Sequence, residues 1–434
     1  MNGSFPALAT ANASSLIRFE TLLLEKQADI EAWFREQWTL TAPPFYCSVD
    51  LRNAGFKLAP VDTNLFPGGF NNLGAEATPL AVQAVQAALE RICPTARSLL
   101  LVPENHTRNR FYLENVATLR DLILKAGYEV RVGSLLPDLD GPRELELEIS
   151  GRKLLLEPLE RNGDRVGVRG FEPCSILLNN DLSAGVPPIL EGLEQTILPP
   201  LEAGWHARRK SQHFGFYREV AREFAATAGI DPWWVDPLFR NCGQINFLKR
   251  EGEECLASNV ELLLEEIGAK YREYGIEQKP FVIVKSDAGT YGMGVMTIHS
   301  VEEVRQLNRK TRTHMASAKE GREVTGAIIQ EGVYTFESWG PEQHTAEPVV
   351  YMIDRFVVGG FYRVNESRSN TENLNAPGMS FKPLAFAGAC NNPDRSCGPD
   401  EQPNRLYAYG VVARLALLAA AREIAALNAL RKAA

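Results

Sequence analysis

Residues 281–299, FVIVKSDAGTYGMGVMTIH, constrain this chain more than any other stretch. The β-branched run Val282, Ile283 and Val284 reads as a buried strand. It delivers Lys285, a loop punctuated by Gly289, Gly292 and Gly294, and a second apolar strand. Glycines let backbone N–H groups turn toward an anion without a Cβ in the way. Lys285 adds a compact charge suited to a phosphate. Two common nucleotide devices are excluded: G-x-x-x-x-G-K-[ST] is absent, and a strand rather than a helix follows the loop. A plain glycine-rich hairpin remains the alternative for this segment by itself.

At 434 residues the chain is too long for one core, so two or three lobes with a cleft between them are expected. With 46 Lys+Arg against 54 Asp+Glu the net charge is −8, which argues against nucleic-acid binding, since phosphate neutralisation needs a basic face. No run of about 18 apolar residues lacks charge, so no membrane span is expected. The start MNGSFPALATANASS has no basic region ahead of an apolar one, and Asn2 is not a myristoylation glycine. The 7 cysteines are odd in number and form no CxxC, which reads as reduced thiols in a cytoplasmic protein. Cys390 and Cys397 could pair or bind metal, but no second ligand pair stands near them and chance spacing is the simpler reading.

Apolar periodicity predicts helices over 15–38, 78–93, 111–126, 214–228, 257–274 and 408–431. The last carries Arg414, Arg422, Glu423 and Arg431 and is expected to be a packed surface helix. Residues 98–102 and 128–132 flank a helix, a βαβ unit that implies a parallel, Rossmann-like sheet. Residues 174–178 make a further buried strand, and Pro199-Pro200 suggests a lobe boundary. Residues 326–330, 349–356 and 360–365 read as later strands.

Near the start, residues 57–69, KLAPVDTNLFPGG, place Asp62 and Asn64 two apart on a strand, so both side chains face one side. Oxygen ligands of this kind suit Mg²⁺, although a D-x-N pair is as readily a turn feature.

The order strand–Lys285–glycine loop–strand, a helical spacer, then AIIQEGV over 327–333 resembles the ATP-grasp ligases. The early place of Asp62 and Asn64 is similar to the circularly permuted arrangement of the eukaryotic-type glutathione synthetases. The GGVAAG lid of those enzymes is missing. The combination DLRNAGFKLAPVDTNLFPGGFNNL, VPENHTRNRFY, LLNNDLS, KSDAGTYGMGV, IIQEGV and NLNAPGMSFKPL instead resembles the proteobacterial, ATP-grasp-like glutamate–cysteine ligase family over about residues 15–430. The resemblance implies an α/β (α+β) chain with an ATP-grasp-like, permuted core. Its parts would be N-terminal helices and metal-binding strands over 1–95, a Rossmann-like substrate lobe over 96–200, and nucleotide-binding lobes with the C-terminal helix over 201–434.

Site residues follow from the same resemblance. Lys210 and Lys285 would hold phosphates under a loop of Gly289, Thr290, Tyr291, Gly292 and Gly294. Gln330, Glu331 and Val333 would form the hinge along adenine, with Glu337 on the ribose. Asp62, Asn64 and Asp287 would bind Mg²⁺, with Mn²⁺ as a substitute. Arginine forks bind carboxylates bidentately, and Arg52 and Arg363 would hold the glutamate and serve catalysis with Lys285. Asp50, Glu104, Asn109, Asn179, Asn373 and Asn375 would complete the substrate site, although Arg52 could be a surface ion pair and Glu104, Asn109 and Asn179 turn or cap residues.

The implied reaction phosphorylates the γ-carboxylate of L-glutamate with ATP; the amine of L-cysteine then displaces phosphate, giving γ-glutamylcysteine, ADP and phosphate. No protein nucleophile is required, because positioning and charge neutralisation dominate phosphoryl transfer. A His106–Cys47 hydrolase lacks the context of a nucleophile elbow. A glutathione synthetase or other amino-acid ligase, a small-molecule kinase and an inactive nucleotide-binding module stay open as alternatives. Assembly into a homo-oligomer is also left open.

Overall fold

Three main sheets carry the residues of interest, and a buried C-terminal helix packs against the largest of them. The computed structural model describes residues 8–9, 14–105, 109–289, 294–316, 325–384 and 405–433. Thr290, Tyr291 and Gly292 of the glycine loop, His106, Cys390 and Cys397 lie outside these residues.

The largest sheet is seven-stranded and antiparallel. Its centre is the hairpin of His344–Ile353 and Phe356–Asn365, turned at Asp354, where φ is 52. Tyr46–Asn53 pairs with the second half of the first hairpin strand and with Leu58–Asn64. That register sets Asp50 directly opposite Asp62, and Glu347 opposite Arg363. Cross-strand partners on one face stand within about 5.5 Å, so pairing alone gathers charge onto this sheet.

The second sheet has the order Thr196–Leu198, Ser175–Asn179, Ser98–Pro103, Glu129–Ser134, Lys153–Pro158, Arg143–Glu146. All but the last strand run parallel. Its central strands are buried along nearly their whole length, as covered parallel strands must be. The third sheet, four-stranded and antiparallel, is Phe239–Cys242, Ala327–Glu331, Val282–Ser286 and Val295–Ile298.

Two helical expectations need correction. The predicted helix over 15–38 is two, Ser14–Glu25 and Gln27–Leu40, interrupted at Lys26. The C-terminal helix Arg405–Ala433 is not a surface helix: from Tyr407 to Ala421 every residue is buried. The reason is its sequence, in which alanine, leucine and valine occupy all faces, leaving no polar stripe for water. Two of the charges that suggested exposure, Arg414 and Glu423, are paired inside. Arg414 meets both carboxylate oxygens of Glu31 at 2.7 and 2.8 Å, and Glu423 meets Arg208 at 2.9 and 3.1 Å.

Candidate functional site

The largest and four-stranded sheets face each other across an open cleft. Asp50, Arg52, Val61, Asp62 and Glu347 enter it from one side, with Asn373 and Asn375 from the loop that follows the hairpin. Ile283, Lys285, Ser286, Gly289, Val295, Gln330, Glu331 and Val333 line the other side. Lys210 reaches in from the start of helix Lys210–Ala228. Residues far apart in the chain are thus brought together: Asp50, Arg52, Asp62, Lys210, Lys285, Gly289, Gln330, Glu331, Val333, Asn373 and Asn375 of the expected set. No strand of the parallel sheet contributes a lining residue.

Two lysines dominate one end. Lys210 Nζ stands 2.7 Å from Asp62 Oδ1. Lys285 Nζ donates to Val61 O and Gln330 Oε1, both at 2.8 Å. Burial pushes the Lys285 ammonium down to about 8; Asp62 pulls the other way, while the neighbouring Lys210 and Arg52 add to the fall. Burial opposes ionisation of Asp62, yet Lys210 and Lys285 outweigh it and hold the carboxyl at about 2. Gln330 Nε2 is buried with no hydrogen-bond partner. A buried donor left over is costly, and its residue lines the cleft together with Ile283, Val295 and Val333.

The other end is an alternation of charge, in which Asp50, Arg52 and Glu347 line the cleft and Arg363 stands behind them without lining it. Arg363 donates through one guanidinium nitrogen to Asp50 at 2.7 Å and Glu347 at 2.6 Å. Arg52 Nε reaches the other Glu347 oxygen at 3.0 Å. Burial raises the Glu347 carboxyl, but Arg52 and Arg363 together hold it below the usual range. Asp50 goes the other way: burial, Glu347 and Asp62 raise it against the pull of Arg363. Arg363 Nε is buried without a hydrogen-bond partner.

Several expected residues have other tasks. Asp287 accepts from Ser211 N and Ser211 Oγ, both at 2.7 Å, and so caps the helix that carries Lys210. Asn64 Oδ1 accepts from Phe66 N in a turn. Glu337 is buried in the core, where it accepts from Asn53 and from Tyr409 of the C-terminal helix; the ribose contact expected of it has no support here. Arg52 donates to the backbone carbonyls of Val333, Asn370 and Glu372 as well as to Glu347, so it is neither a surface pair nor an open fork. Asn109 caps helix Arg110–Lys125. Asn179 holds Tyr46, Pro67 and Asn115 together, and the Glu104 N–H donates to Tyr112 Oη. None of these three lines the cleft. Gly294 closes the loop by accepting from Ser286 N.

The Glu331 side chain is held at the end of strand Ala327–Glu331. It pairs with fully buried Lys57 at 2.7 Å and accepts from Trp233 Nε1 at 3.1 Å and Leu238 N at 3.0 Å. Lys57 also reaches Asp236 O at 2.7 Å. Gly332 follows because nothing larger fits: a Cβ there would stand 2.2 Å from the Phe281 ring.

Glu347 is the chief residue that sequence reasoning missed. Its signal was the hairpin register, which sets it opposite Arg363. The strand expected over 349–356 began two residues too late to include it.

Among the described residues, no group of three His, Cys, Asp or Glu side chains could hold a metal unaided, and no helix is long and apolar enough to cross a membrane.

Comparison with known proteins adds the following. The glutamate-cysteine ligase family (GshA) matches residues 20–424. A crystal structure from Methylobacillus flagellatus KT, provisionally named a gamma-glutamylcysteine synthetase, is 57% identical, covers 97% of this chain and 99% of its own, and superposes with a TM-score of 0.89. A glutathione synthetase like-effector from Globodera pallida is 10% identical over 87% of this chain and 84% of its own, with a TM-score of 0.38. D-alanyl-alanine synthetase A from Vibrio cholerae is 9% identical over 74% and 81%, with a TM-score of 0.34. Likenesses as slight as the last two carry no argument. Comparison with curated proteins finds no match.

Proposed function

The chain belongs to the glutamate–cysteine ligase family and is a glutamate–cysteine ligase of glutathione biosynthesis, and from that premise we propose how its cleft performs the ligation. The family implies ATP, glutamate and cysteine as substrates and a divalent cation as helper. The observation that carries the reading is the meeting of Asp62, Lys210, Lys285 and the buried Gln330 amide in one cleft with an apolar slot beside them.

In this reading the two antiparallel sheets form a permuted ATP-grasp-type nucleotide site. Adenine lies between Ile283, Val295 and Val333, along the backbone of residues 330–333. Lys285 and Lys210 take the phosphates, with the backbone of Gly289 beside them. Gly289 suits that role because its φ is +98, open to glycine at little strain, and its Cβ position meets nothing within 4 Å.

A resident cation fits the residues present, for which we propose Mg²⁺ with Mn²⁺ as a substitute. Mg²⁺ commonly takes one or two carboxylates and completes its shell with phosphates and water. Asp62 is ionised at any working pH and 38% exposed toward the cleft. Such a cation would offset phosphate charge as a Lewis acid. Asp62 would hold it; Asp287 and Asn64 are committed to the helix cap and the turn.

Glutamate is proposed to enter beside Arg363, whose buried Nε lacks an acceptor that a substrate carboxylate would supply. Glu347 and Asp50 fix the guanidinium plane, and Arg52 braces the loop carrying Asn373 and Asn375 through Asn370 and Glu372. The γ-carboxylate then attacks the terminal phosphorus of ATP, the bond to the β-phosphate breaks and ADP leaves, with the lysines offsetting the charge of the transferred group. The cysteine amine displaces phosphate from the acyl phosphate. The protein orients, neutralises charge and excludes water; it needs no nucleophile of its own.

The test is phosphate release from ATP and Mg²⁺ with defined amino acids. Release that requires glutamate and cysteine together is expected. Release requiring γ-glutamylcysteine and glycine, or a stable phosphorylated product formed without any amine, would contradict the reading.

A further inference from the structure

Behind the cleft lies a dry group of charges that lines none of it. Glu423, on the C-terminal helix, grips Arg208 with both oxygens, Nε to Oε1 at 2.9 Å and the terminal nitrogen to Oε2 at 3.1 Å. His213 Nδ1 stands 3.0 Å from the same Oε2. The side chains of Arg208, His213 and Glu423 are 1%, 2% and 4% exposed. The last guanidinium nitrogen of Arg208 donates to Thr63 O at 2.9 Å, on the residue after Asp62. Arg208 also stands two residues before Lys210, and both cations lie against the Trp205 ring, at 5.0 and 4.5 Å from its centre.

The guanidinium therefore joins three parts of the chain. It ties the strand end that presents Asp62, the helix start that presents Lys210, and a carboxylate more than two hundred residues later. Asp62 and Lys210 meet at 2.7 Å only if those two elements keep their spacing. A long guanidinium fork held by a carboxylate is rigid, with its donors in one plane.

We infer that Arg208 and Glu423 are positioning residues of the nucleotide end of the cleft: the C-terminal helix, through this bidentate pair, sets the distance between Asp62 and Lys210 and thereby the affinity for ATP with its cation. This rests on the proposed role of Asp62 and Lys210. It assigns the C-terminal helix a part in substrate binding, beyond filling the core.

The same helix supplies a control. Arg414 makes an equally close, two-pronged pair with Glu31 and lies over the Phe34 ring at 4.2 Å, contacting no residue of the cleft. Glu423→Gln and Glu31→Gln each break one bidentate pair made by this helix, Glu423 being 4% and Glu31 22% exposed, so a merely structural role predicts no loss of binding specific to Glu423→Gln. The measurement is calorimetric binding of a non-hydrolysable ATP analogue with Mg²⁺ to the full chain, with thermal unfolding recorded alongside.

The expected result is a Kd raised roughly tenfold in Glu423→Gln and in Arg208→Lys, the size typical of outer residues that orient a binding group. Glu31→Gln is expected to lower the unfolding temperature comparably and to leave the Kd within about twofold of the parent. Equal Kd changes in Glu423→Gln and Glu31→Gln, or none in Arg208→Lys, would overturn the inference. Asp62→Asn separates the levels. If it weakens binding while Glu423→Gln does not, only the inference fails; if Asp62→Asn itself binds normally, the site reading fails and takes the inference with it.

Discussion

Replacing Asp287 by alanine separates two jobs that an aspartate in a glycine loop can have. In the structure its carboxylate accepts from Ser211 N and Oγ at 2.7 Å each, while its own carbonyl accepts from Lys210 N at 2.8 Å. The side chain thus satisfies one of the unpaired N–H groups that open every helix, and its charge lies at the positive end of the helix dipole. Losing such a cap costs about 1 kcal/mol, and the buried, charge-assisted bond to the serine hydroxyl brings the total to about 2 kcal/mol. Unfolding entropy of about 2.1 cal/mol/K per residue over 434 residues is roughly 0.9 kcal/mol/K, if the chain unfolds as one unit. Asp287→Ala should therefore lower Tm by about 2 °C. The concentration of divalent metal giving half-maximal activity should stay within about twofold, because the cation is assigned to Asp62. Asp62→Asn should raise the metal requirement at least roughly tenfold, and should lower Tm as well, because the folded chain holds this carboxyl below its usual range. Thermal shift and a metal titration of phosphate release measure both. An Asp287→Ala protein with unchanged Tm and a metal requirement as high as that of Asp62→Asn would refute the assignment.

Other expectations follow from the same geometry. The Lys285 ammonium, lowered to about 8, binds phosphate only when protonated, so kcat/KM for ATP should fall tenfold per pH unit above about 8; a profile flat to pH 10 would contradict this. Stability has the opposite sign there, because the folded chain gives up this proton before the unfolded one, so the Lys285 contribution rises from about pH 8 toward 10.5. Glu347→Gln leaves Arg363 with Asp50 alone and buried Arg52 with backbone carbonyls only, and should destabilise the chain by about 3–5 kcal/mol and raise KM for glutamate more than for ATP; urea unfolding and steady-state kinetics distinguish the two effects. Gly332→Ala puts a methyl 2.2 Å from the Phe281 ring and should cost about 1–3 kcal/mol while displacing the hinge, seen as a raised KM for ATP with kcat nearly kept.

The parts of the site readable in the sequence are those made of neighbouring residues. Lys285, Gly289 and Gln330 stood out because strand periodicity and glycine punctuation are local signals, and Asp62 because it and Asn64 stand two apart on a strand. What was not readable depends on partners. Arg52 looks like a substrate fork until the carbonyls of Val333, Asn370 and Glu372 are seen to occupy it. Asp287 looks like a metal ligand until Ser211 arrives from another element. Glu347 is silent without the register that sets it against Arg363. The C-terminal helix misled for a related reason: its few charges argue for water, and only the fold supplies Glu31, Arg208 and His213 to receive them. The parallel sheet was read from its apolar strands, yet which strands border the cleft is a question of packing between lobes, and the antiparallel sheets do so.

The central claim is that ATP activates the glutamate side-chain carboxylate as an acyl phosphate in this cleft. Glutamate labelled with ¹⁸O in its γ-carboxylate, incubated with the enzyme, ATP, Mg²⁺ and cysteine, tests it in one experiment. Attack of that carboxylate on the terminal phosphorus leaves a labelled oxygen bridging carbon and phosphorus, and displacement by the amine carries it away with the phosphate. The account predicts one ¹⁸O in each inorganic phosphate released. Unlabelled phosphate accompanying γ-glutamylcysteine would contradict it.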